Sequence, residues 1–499
     1  MVFPLVNLTI NGSSRDSLTK QLYEQLRLTI LSGSVAPGTR LPSSRDLAEQ
    51  LGLSRNTIMA AYEQLVAEAY LESKVGAGTF VVKNLPDAFL RAQQLLSSGP
   101  PSTYGRTRTS RRQISKRGHT LATASVGLRD HIKRPRAFQT GLPDIHAFPF
   151  KLWAQMASRR YRDQVEELLH YPDPAGYVPL REEIVNYLST TRGVRCKTEQ
   201  VIIVNGSQQA LDLSARILLN DGDVACVEDP GYLGSLAAIR GSEATVLPIP
   251  IDAEGFDVDV ARERAPHAKL ISVTPSRQYP LGVTMSLVRR LELLNWASDI
   301  DAWILEDDYD SEYRYKGFPL AALQGLDTEG RVIYIGTFSK LMFPSLRLGY
   351  MVVPPDFVES FTSAHAVTDR GSSWLHQSVM AEFIAEGHFT RHVRKMRTLY
   401  AQRQAALVAA AHRYLKGILD VRPEDAGMHL VGRMPEGWSD VRASKLVAGA
   451  GIETEALSSF SIETRNHHGL LLGYTGVTEP EIEDGVRTMA KALGGFTGA

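Results

Sequence analysis

Arg331-Val332-Ile333-Tyr334-Ile335-Gly336 reads as a β-strand, and Thr337-Phe338-Ser339-Lys340 follows it directly, with Arg347 shortly after. Upstream, Trp303-Ile304-Leu305 is a second strand-like run and ends in Glu306-Asp307-Asp308-Tyr309. A lone Ser-x-Lys is usually just an ordinary loop lysine. Here the lysine comes with hydroxyls and an arginine suited to a phosphate, and with carboxylates suited to a pyridine nitrogen. That is the set of groups pyridoxal phosphate requires, the lysine supplying a Schiff base. Further strand-like runs, Val201-Ile202-Ile203-Val204, Val224-Ala225-Cys226-Val227 and Leu270-Ile271-Ser272-Val273, alternate with helix-like segments from about residue 136 onward. The alternation predicts an α/β domain whose ligands sit in the turns at the strand ends.

At 499 residues the chain has room for roughly three domains. Its 43% hydrophobic and 22% charged residues mark a globular composition. Formal net charge is zero, so contact with nucleic acid must come from local basic regions. Cys196 and Cys226 have no metal-like spacing; no metal is expected, and the pair fits a reducing cytoplasm. Met1–Val6 lacks the charged start and length of a signal peptide. No apolar run approaches the ~20 residues of a membrane helix. The expected location is cytoplasmic, with no membrane partner.

The same chain opens on a different kind of motif. Leu18, Leu22, Leu26 and Ile30 recur at helical spacing, and Gly33 and Pro37-Gly38 end that helix. Ser43, with Asp46 three residues later, starts a second helix that Gly52 stops. Ser54 caps a third, with Ile58, Ala61, Tyr62 and Leu65 on its apolar side. Two short helices joined by a tight turn form a helix-turn-helix, in which the first residues of the second helix meet base edges. Those residues are Arg55, Asn56 and Thr57. Taken alone they serve equally well as the start of a solvated helix. Tyr70–Lys74 and Thr79–Val82 flank Val75-Gly76-Ala77-Gly78, a predicted hairpin with Lys74 near a DNA backbone.

Residues 84–135 carry Arg91, Arg106, Arg108, Arg111, Arg112, Lys116 and Arg117 against the single acid Asp87 in their first part, with a Gly-Pro-Pro-Ser stretch at 99–102. This composition predicts a basic flexible linker, a solubilising tether whose arginines also attract DNA phosphate. The expected boundaries are 14–83 for the DNA-binding domain, 84–135 for the linker and 136–499 for the α/β domain. In that last part, Asn205-Gly206-Ser207-Gln208 is a Gly turn opening a helix, and Asp229-Pro230-Gly231-Tyr232 offers an aromatic that stacks on a flat ring; each alone is more often a plain turn. Thr274–Gly282 is a polar, proline-bounded loop.

The run from Leu18 to Val82 resembles the GntR-type winged helix-turn-helix, through Leu41–Ala48, Ser54-Arg55-Asn56-Thr57 and the Gly76-Ala77-Gly78-Thr79-Phe80-Val81 wing. The resemblance implies double-stranded DNA contacts at Arg45, Arg55, Asn56, Thr57 and Gly76, to which the helix cap Ser54 and Lys74 are added. From about residue 136 to 480 the chain resembles a fold-type I aminotransferase with large and small α/β domains. By that likeness Lys340 forms the internal aldimine, Asp307 pairs with the pyridine nitrogen, Tyr309 bonds the ring hydroxyl and Tyr232 stacks on the ring. Ser207, Gln208, Thr337, Ser339 and Arg347 match the phosphate cup. Tyr171 matches a tyrosine that reaches the partner subunit's phosphate, which implies a domain-swapped homodimer. Asp307 is preferred over its acidic neighbours because it faces the same way as Tyr309 along an extended segment.

The whole architecture resembles the MocR/GabR family of transcription regulators, supported by Val227–Tyr232, Leu305–Tyr315 and Gly336–Lys340. Three departures from related patterns matter. Tyr279 stands where aminotransferases place an Asn before the Pro-x-Gly. Leu470-Leu471-Leu472-Gly473-Tyr474 lacks their carboxylate-clamping arginine, with Arg465 or another arginine as a substitute. Gly234 occupies the position of the arginine used by γ-aminobutyrate-responsive members. The implied function is a regulator that answers an amine, an amino acid or pyridoxal phosphate itself through aldimine chemistry at Lys340, with at most weak transaminase activity. The alternatives are a true aminotransferase with an accessory winged helix, and an empty dimerisation scaffold.

Overall fold

A computed structural model describes residues 8, 10–11, 16–74, 76–83, 114–124, 136–163, 166, 170–317, 320–464 and 467–494. The chain divides into two compact units, Met1–Arg112 and Gln113–Ala499. In the first, helix α1 (Leu18–Leu31) buries Leu22, Leu26 and Ile30. Leu18, expected on the same stripe, is 39% exposed, because it lies in the first turn and the core begins one turn later. Helix α2 (Ser44–Leu51) starts where the Ser43 hydroxyl accepts from the Asp46 amide at 3.2 Å. It ends at Gly52, whose φ of 64° is left-handed and favours a residue without Cβ. Helix α3 (Arg55–Ala67) is capped by Ser54, which accepts from the Thr57 amide at 3.1 Å. Strands β1 (Leu71–Lys74) and β2 (Gly78–Val81) form the antiparallel hairpin, with Lys74 opposite Gly78.

In the second unit, part of the expected linker is folded. Lys116–Ala124 is a helix that packs on the helix Leu233–Gly241, with Leu121 seated where a Cβ on Gly241 would come within 2.7 Å. Contact of Leu121 with the glycine surface of that helix is what removes this stretch from the tether. Residues 84–113 and 125–135, with Arg91, Arg106, Arg108, Arg111 and Arg112, lie outside the described residues, as does Val75 of the wing.

The central sheet has the order β3 (Val201–Val204), β10 (Gly349–Val352), β9 (Val332–Thr337), β8 (Trp303–Asp308), β7 (Leu270–Val273), β4 (Val224–Asp229), β5 (Thr245–Asp252) and β6 (Gly255–Phe256). The strands from β9 to β5 are parallel, while β10 runs antiparallel to both its neighbours. Helices on both faces explain the near-continuous hydrophobic runs. Along β9, Ile333 and Ile335 enter one core cluster and Tyr334 the other, the period of two of a strand. A second, antiparallel sheet joins β11 (Asp420–Val421), β12 (His429–Arg433), β14 (Gly469–Gly473) and β13 (Glu455–Ala456) in that order. No helix among the described residues is long and apolar enough to cross a membrane.

Candidate cofactor site and nucleic-acid interface

The carboxyl ends of β4, β7, β8 and β9 deliver side chains to one cavity, lined by Ser207, Tyr232, Thr274, Tyr279, Asp307, Tyr309 and Lys340. Thr140, Gly141, Met428 and His429 complete its wall. Lys340 follows β9 directly and its Nζ donates to the Gly141 carbonyl at 3.1 Å. Burial lowers the pKa of this amine, against the opposing pull of Asp310, Glu455 and Asp307. A depressed lysine pKa raises the share of neutral, nucleophilic amine.

The three acids on β8 point to three destinations. Glu306 accepts from the backbone amides of Leu323 and Gln324 at 2.8 and 2.9 Å. Asp308 pairs with Arg192 at 2.8 Å and accepts from the Tyr334 hydroxyl at 2.6 Å. Of the three, Asp307 alone lines the cavity. Its Oδ1 is buried with no hydrogen-bond partner, and burial, followed by the charge of Asp308, pushes its pKa up to about 7. A buried acceptor without a donor is costly, and a protonated pyridine nitrogen is a donor that removes the cost.

The aromatic wall is built by edge contacts. Tyr232 meets Tyr279 at 6.0 Å and 89°, and Tyr279 meets Tyr309 at 5.8 Å and 90°. The Tyr309 hydroxyl accepts from Arg277 Nη1 at 3.3 Å. Tyr232 donates to Gln208 Oε1 at 3.3 Å, and Gln208 Nε2 donates to the Gly234 carbonyl at 2.9 Å. Gln208 is therefore spent on holding Tyr232. Gly234 has no room for a side chain, since a Cβ there would lie 2.2 Å from Gln208 Oε1 and 2.4 Å from the Tyr232 ring.

The phosphate end forms around Gly206, whose φ of 90° lets Ser207 open the helix Ser207–Leu218. A helix N-terminus presents free amides to an anion. Arg347 lies beside it: a Cβ on Gly206 would sit 3.5 Å from Arg347 Nη1, and Arg347 Nη2 donates to the Asn205 carbonyl at 2.6 Å. At the end of β9, Thr337 Oγ1 accepts from the Ser339 amide at 3.2 Å, while Ser339 Oγ is buried without a partner. These orphaned oxygens, the amide cradle and the arginine fit the phosphate and ring of pyridoxal phosphate. Tyr171 is not brought to the cavity; it is 83% exposed, with the Arg370 guanidinium 5.5 Å from its ring centre.

Several residues here carry no local sequence signal. Thr140 and Gly141 stand in a loop far from every motif, and His429 and Met428 belong to the second sheet. His429 Nε2 lies 2.9 Å from the Pro280 carbonyl, and burial with the nearby Arg277 charge holds its pKa at about 3. Arg277 sits in the Thr274–Gly282 loop, 3% exposed, and pairs with Asp310 at 3.7 Å.

In the first unit, Arg45, Arg55 and Asn56 are exposed and Thr57 is half-buried. Arg55 Nε donates to Ser44 Oγ at 3.3 Å, which ties α3 to α2. Ser54 is occupied by its cap, including a 2.8 Å contact with Thr57 Oγ1. Lys74 pairs with Glu72 at 3.0 Å and lies 5.3 Å from the Phe80 ring centre. Gly76, exposed at a φ of 75°, makes the wing turn.

Residues 18–81 match the family described as bacterial regulatory proteins, gntR family, and residues 142–468 match aminotransferase class I and II. The probable rhizopine catabolism regulatory protein MocR of Rhizobium meliloti is 42% identical over 97% of this chain and 96% of its own length. The HTH-type transcriptional regulator TauR of Rhodobacter capsulatus is 30% identical over 99% of this chain and 100% of its own. The crystal structure of LysN, an alpha-aminoadipate aminotransferase from Thermus thermophilus complexed with N-(5'-phosphopyridoxyl)-L-leucine, superposes with a TM-score of 0.70 at 27% identity. That match covers 77% of this chain and 97% of LysN. A gntR-type winged helix and a class I and II aminotransferase domain, in one chain aligned end to end with such regulators, place it among the MocR/GabR-type transcription regulators.

Proposed function

We propose that this DNA-binding, pyridoxal-phosphate-binding transcription regulator is switched by an amine, an amino acid or the cofactor itself, captured at Lys340. Bound pyridoxal phosphate supplies an aldehyde that condenses with primary amines and a ring that draws electrons. The observation that carries the proposal is the cavity lined by both Lys340, an amine whose pKa burial lowers, and the buried Asp307, whose Oδ1 has no hydrogen-bond partner. In this role Lys340 holds the cofactor, Asp307 accepts from the pyridine nitrogen, Tyr232 and Tyr309 fix the ring, and Ser207, Thr337, Ser339 and Arg347 hold the phosphate. Arg45, Arg55, Asn56, Thr57, Lys74 and Gly76 face the operator. The working form is a homodimer in the cytoplasm, its exposed Tyr171 reaching the partner's phosphate. Ligand binding shifts the population between two conformations with different affinity for the operator.

Weak turnover is expected from β14, where Leu470, Leu471 and Leu472 are fully buried and supply no carboxylate clamp; Arg465, the substitute named from the sequence, lies outside the described residues. The test is Lys340→Ala. It should abolish the visible absorbance of the bound cofactor and the effector's influence on operator binding. Unchanged effector-dependent binding in that variant would rule out capture at Lys340. The second interpretation, a working aminotransferase, is favoured by the intact Lys340 and Asp307 pair; fast steady-state turnover with a panel of amino donors would establish it.

A further inference from the structure

A buried arginine stands directly behind the cavity wall. Arg277, in the Thr274–Gly282 loop, touches Tyr309 without lining the cavity itself. Its Nε and Nη2 donate to the carbonyls of Ala426 and His429 at 3.2 and 2.8 Å. Two glycines of positive φ leave a slot for it: a Cβ on Gly427 would lie 2.1 Å from its Nε, and one on Gly282 3.2 Å from its Nη2. The remaining nitrogen, Nη1, lies 3.3 Å from the Tyr309 hydroxyl, 3.4 Å from the ring nitrogens of His429 and 3.7 Å from Asp310. The guanidinium thus pins the loop after β7 to the approach to β12, and turns its free end on a residue of the cavity.

A guanidinium only donates. The Tyr309 oxygen is therefore the acceptor in that contact, and its own proton is left for another partner. Among the described residues no hydrogen bond takes that proton, and Tyr309 lines the cavity. The proton is thus available to the ring oxygen of pyridoxal phosphate. A donor to that oxygen withdraws the negative charge that would hold a proton on the Lys340 nitrogen joined to the cofactor. Burial raises the Tyr309 pKa and the charge of Asp310 adds to it, whereas Arg277 opposes them and makes the hydroxyl a better donor. The charge of Arg277 is itself matched by Asp310, so its influence on the cavity runs through the tyrosine. The other charges that reach Lys340, against the lowering by burial, are those of Asp310, Glu455 and Asp307.

We propose that Arg277 is a positioning residue: by donating to Tyr309 from this slot, it directs the tyrosine's proton to the ring oxygen and lowers the pH at which the cofactor-bound Lys340 nitrogen gives up its proton. The proposal rests on pyridoxal phosphate being held at Lys340, as set out above. The test is a pH titration of the cofactor's visible absorbance, whose two bands report the protonated and unprotonated nitrogen. It uses the full chain loaded with pyridoxal phosphate and no added amine. Arg277→Gln should move the midpoint up by roughly one pH unit, a tenfold change in proton affinity. Tyr309→Phe should move it the same way. Introduced into Tyr309→Phe, Arg277→Gln should add less than about half of the shift it causes in the parent protein, since the two residues act as a unit. Arg277→Lys, a single ammonium in place of the fork, cannot serve both carbonyls and Tyr309 together and should give a smaller shift in the same direction. If Arg277→Gln fails to fold, the lysine variant is judged by the same criteria. A merely structural role would reduce thermal stability and leave the midpoint in place. An unmoved or lowered midpoint, or a full shift that persists without the Tyr309 hydroxyl, overturns the proposal. So does a parent protein whose nitrogen stays protonated to the alkaline limit of its stability. A protein with no visible absorbance overturns the underlying function as well; absorbance with an unmoved midpoint overturns the role of Arg277 alone.

Discussion

Asp307 shows at the scale of one residue how a fold stores a binding site. Its carboxyl is 6% exposed and its pKa stands near 7 against an ordinary 3.8. Because the folded value lies above the unfolded one, folding opposes ionisation of this group. Its contribution to stability is complete below about pH 4 and is lost as pH rises through about 7. Asp307→Asn should therefore stabilise the cofactor-free protein at pH 8 relative to pH 5, by roughly 1–3 kcal/mol. Denaturant titrations of both proteins at the two pH values would measure it, and an equal effect at both would refute it. The same substitution removes the acceptor for the pyridine nitrogen, so cofactor affinity should fall at least about tenfold. That Asp307 shares a face with Tyr309 was legible from the alternation of side chains along β8. Where Glu306 and Asp308 point was not, because their partners, the amides of Leu323 and Gln324 and the guanidinium of Arg192, come from distant segments.

At the scale of elements, the helix-turn-helix was the most readable part of the chain, since its signals act within a few residues. Ser43, Gly52 and Ser54 each do locally what their chemistry favours: two caps and a left-handed stop. Ser54→Ala should cost about 1 kcal/mol of stability in the first unit, measured by thermal unfolding. Arg55, exposed at the start of α3, should matter to sequence choice. Arg55→Ala is expected to weaken operator binding by about 1–3 kcal/mol and to relax base preference. Lys74→Ala should weaken all sequences alike and lower the salt slope by about 1. Fluorescence anisotropy across a salt series distinguishes the two outcomes. The linker was the least readable element: composition predicts a tether, yet Leu121 finds a glycine surface at Gly241 that no local pattern announces.

At the scale of the whole molecule, the described cores are separate. The cluster holding Leu22, Leu26, Ile58 and Leu65 contains residues of the first unit only, and the other three clusters contain residues of the second. Leu26→Ala removes a fully buried side chain and should cost the first unit about 2–5 kcal/mol. Operator binding should fail while the cofactor's visible absorbance persists. Simultaneous loss of both would show that the units fold as one.

The sequence by itself determined the two architectures, because period-2 and helical patterning, caps and glycine turns are local properties. It also determined Lys340, Asp307, Tyr309, Tyr232, Ser207 and Arg347 as candidates, since each sits in a short motif at a strand end. Only the tertiary structure decided what surrounds them. Gly141 against Lys340, Arg277 closing on Asp310, His429 held neutral and Glu455 bonded by Thr140 all join segments far apart in the chain. Their chemistry comes from burial and from the charges packed beside them, and neither exists until the sheets assemble.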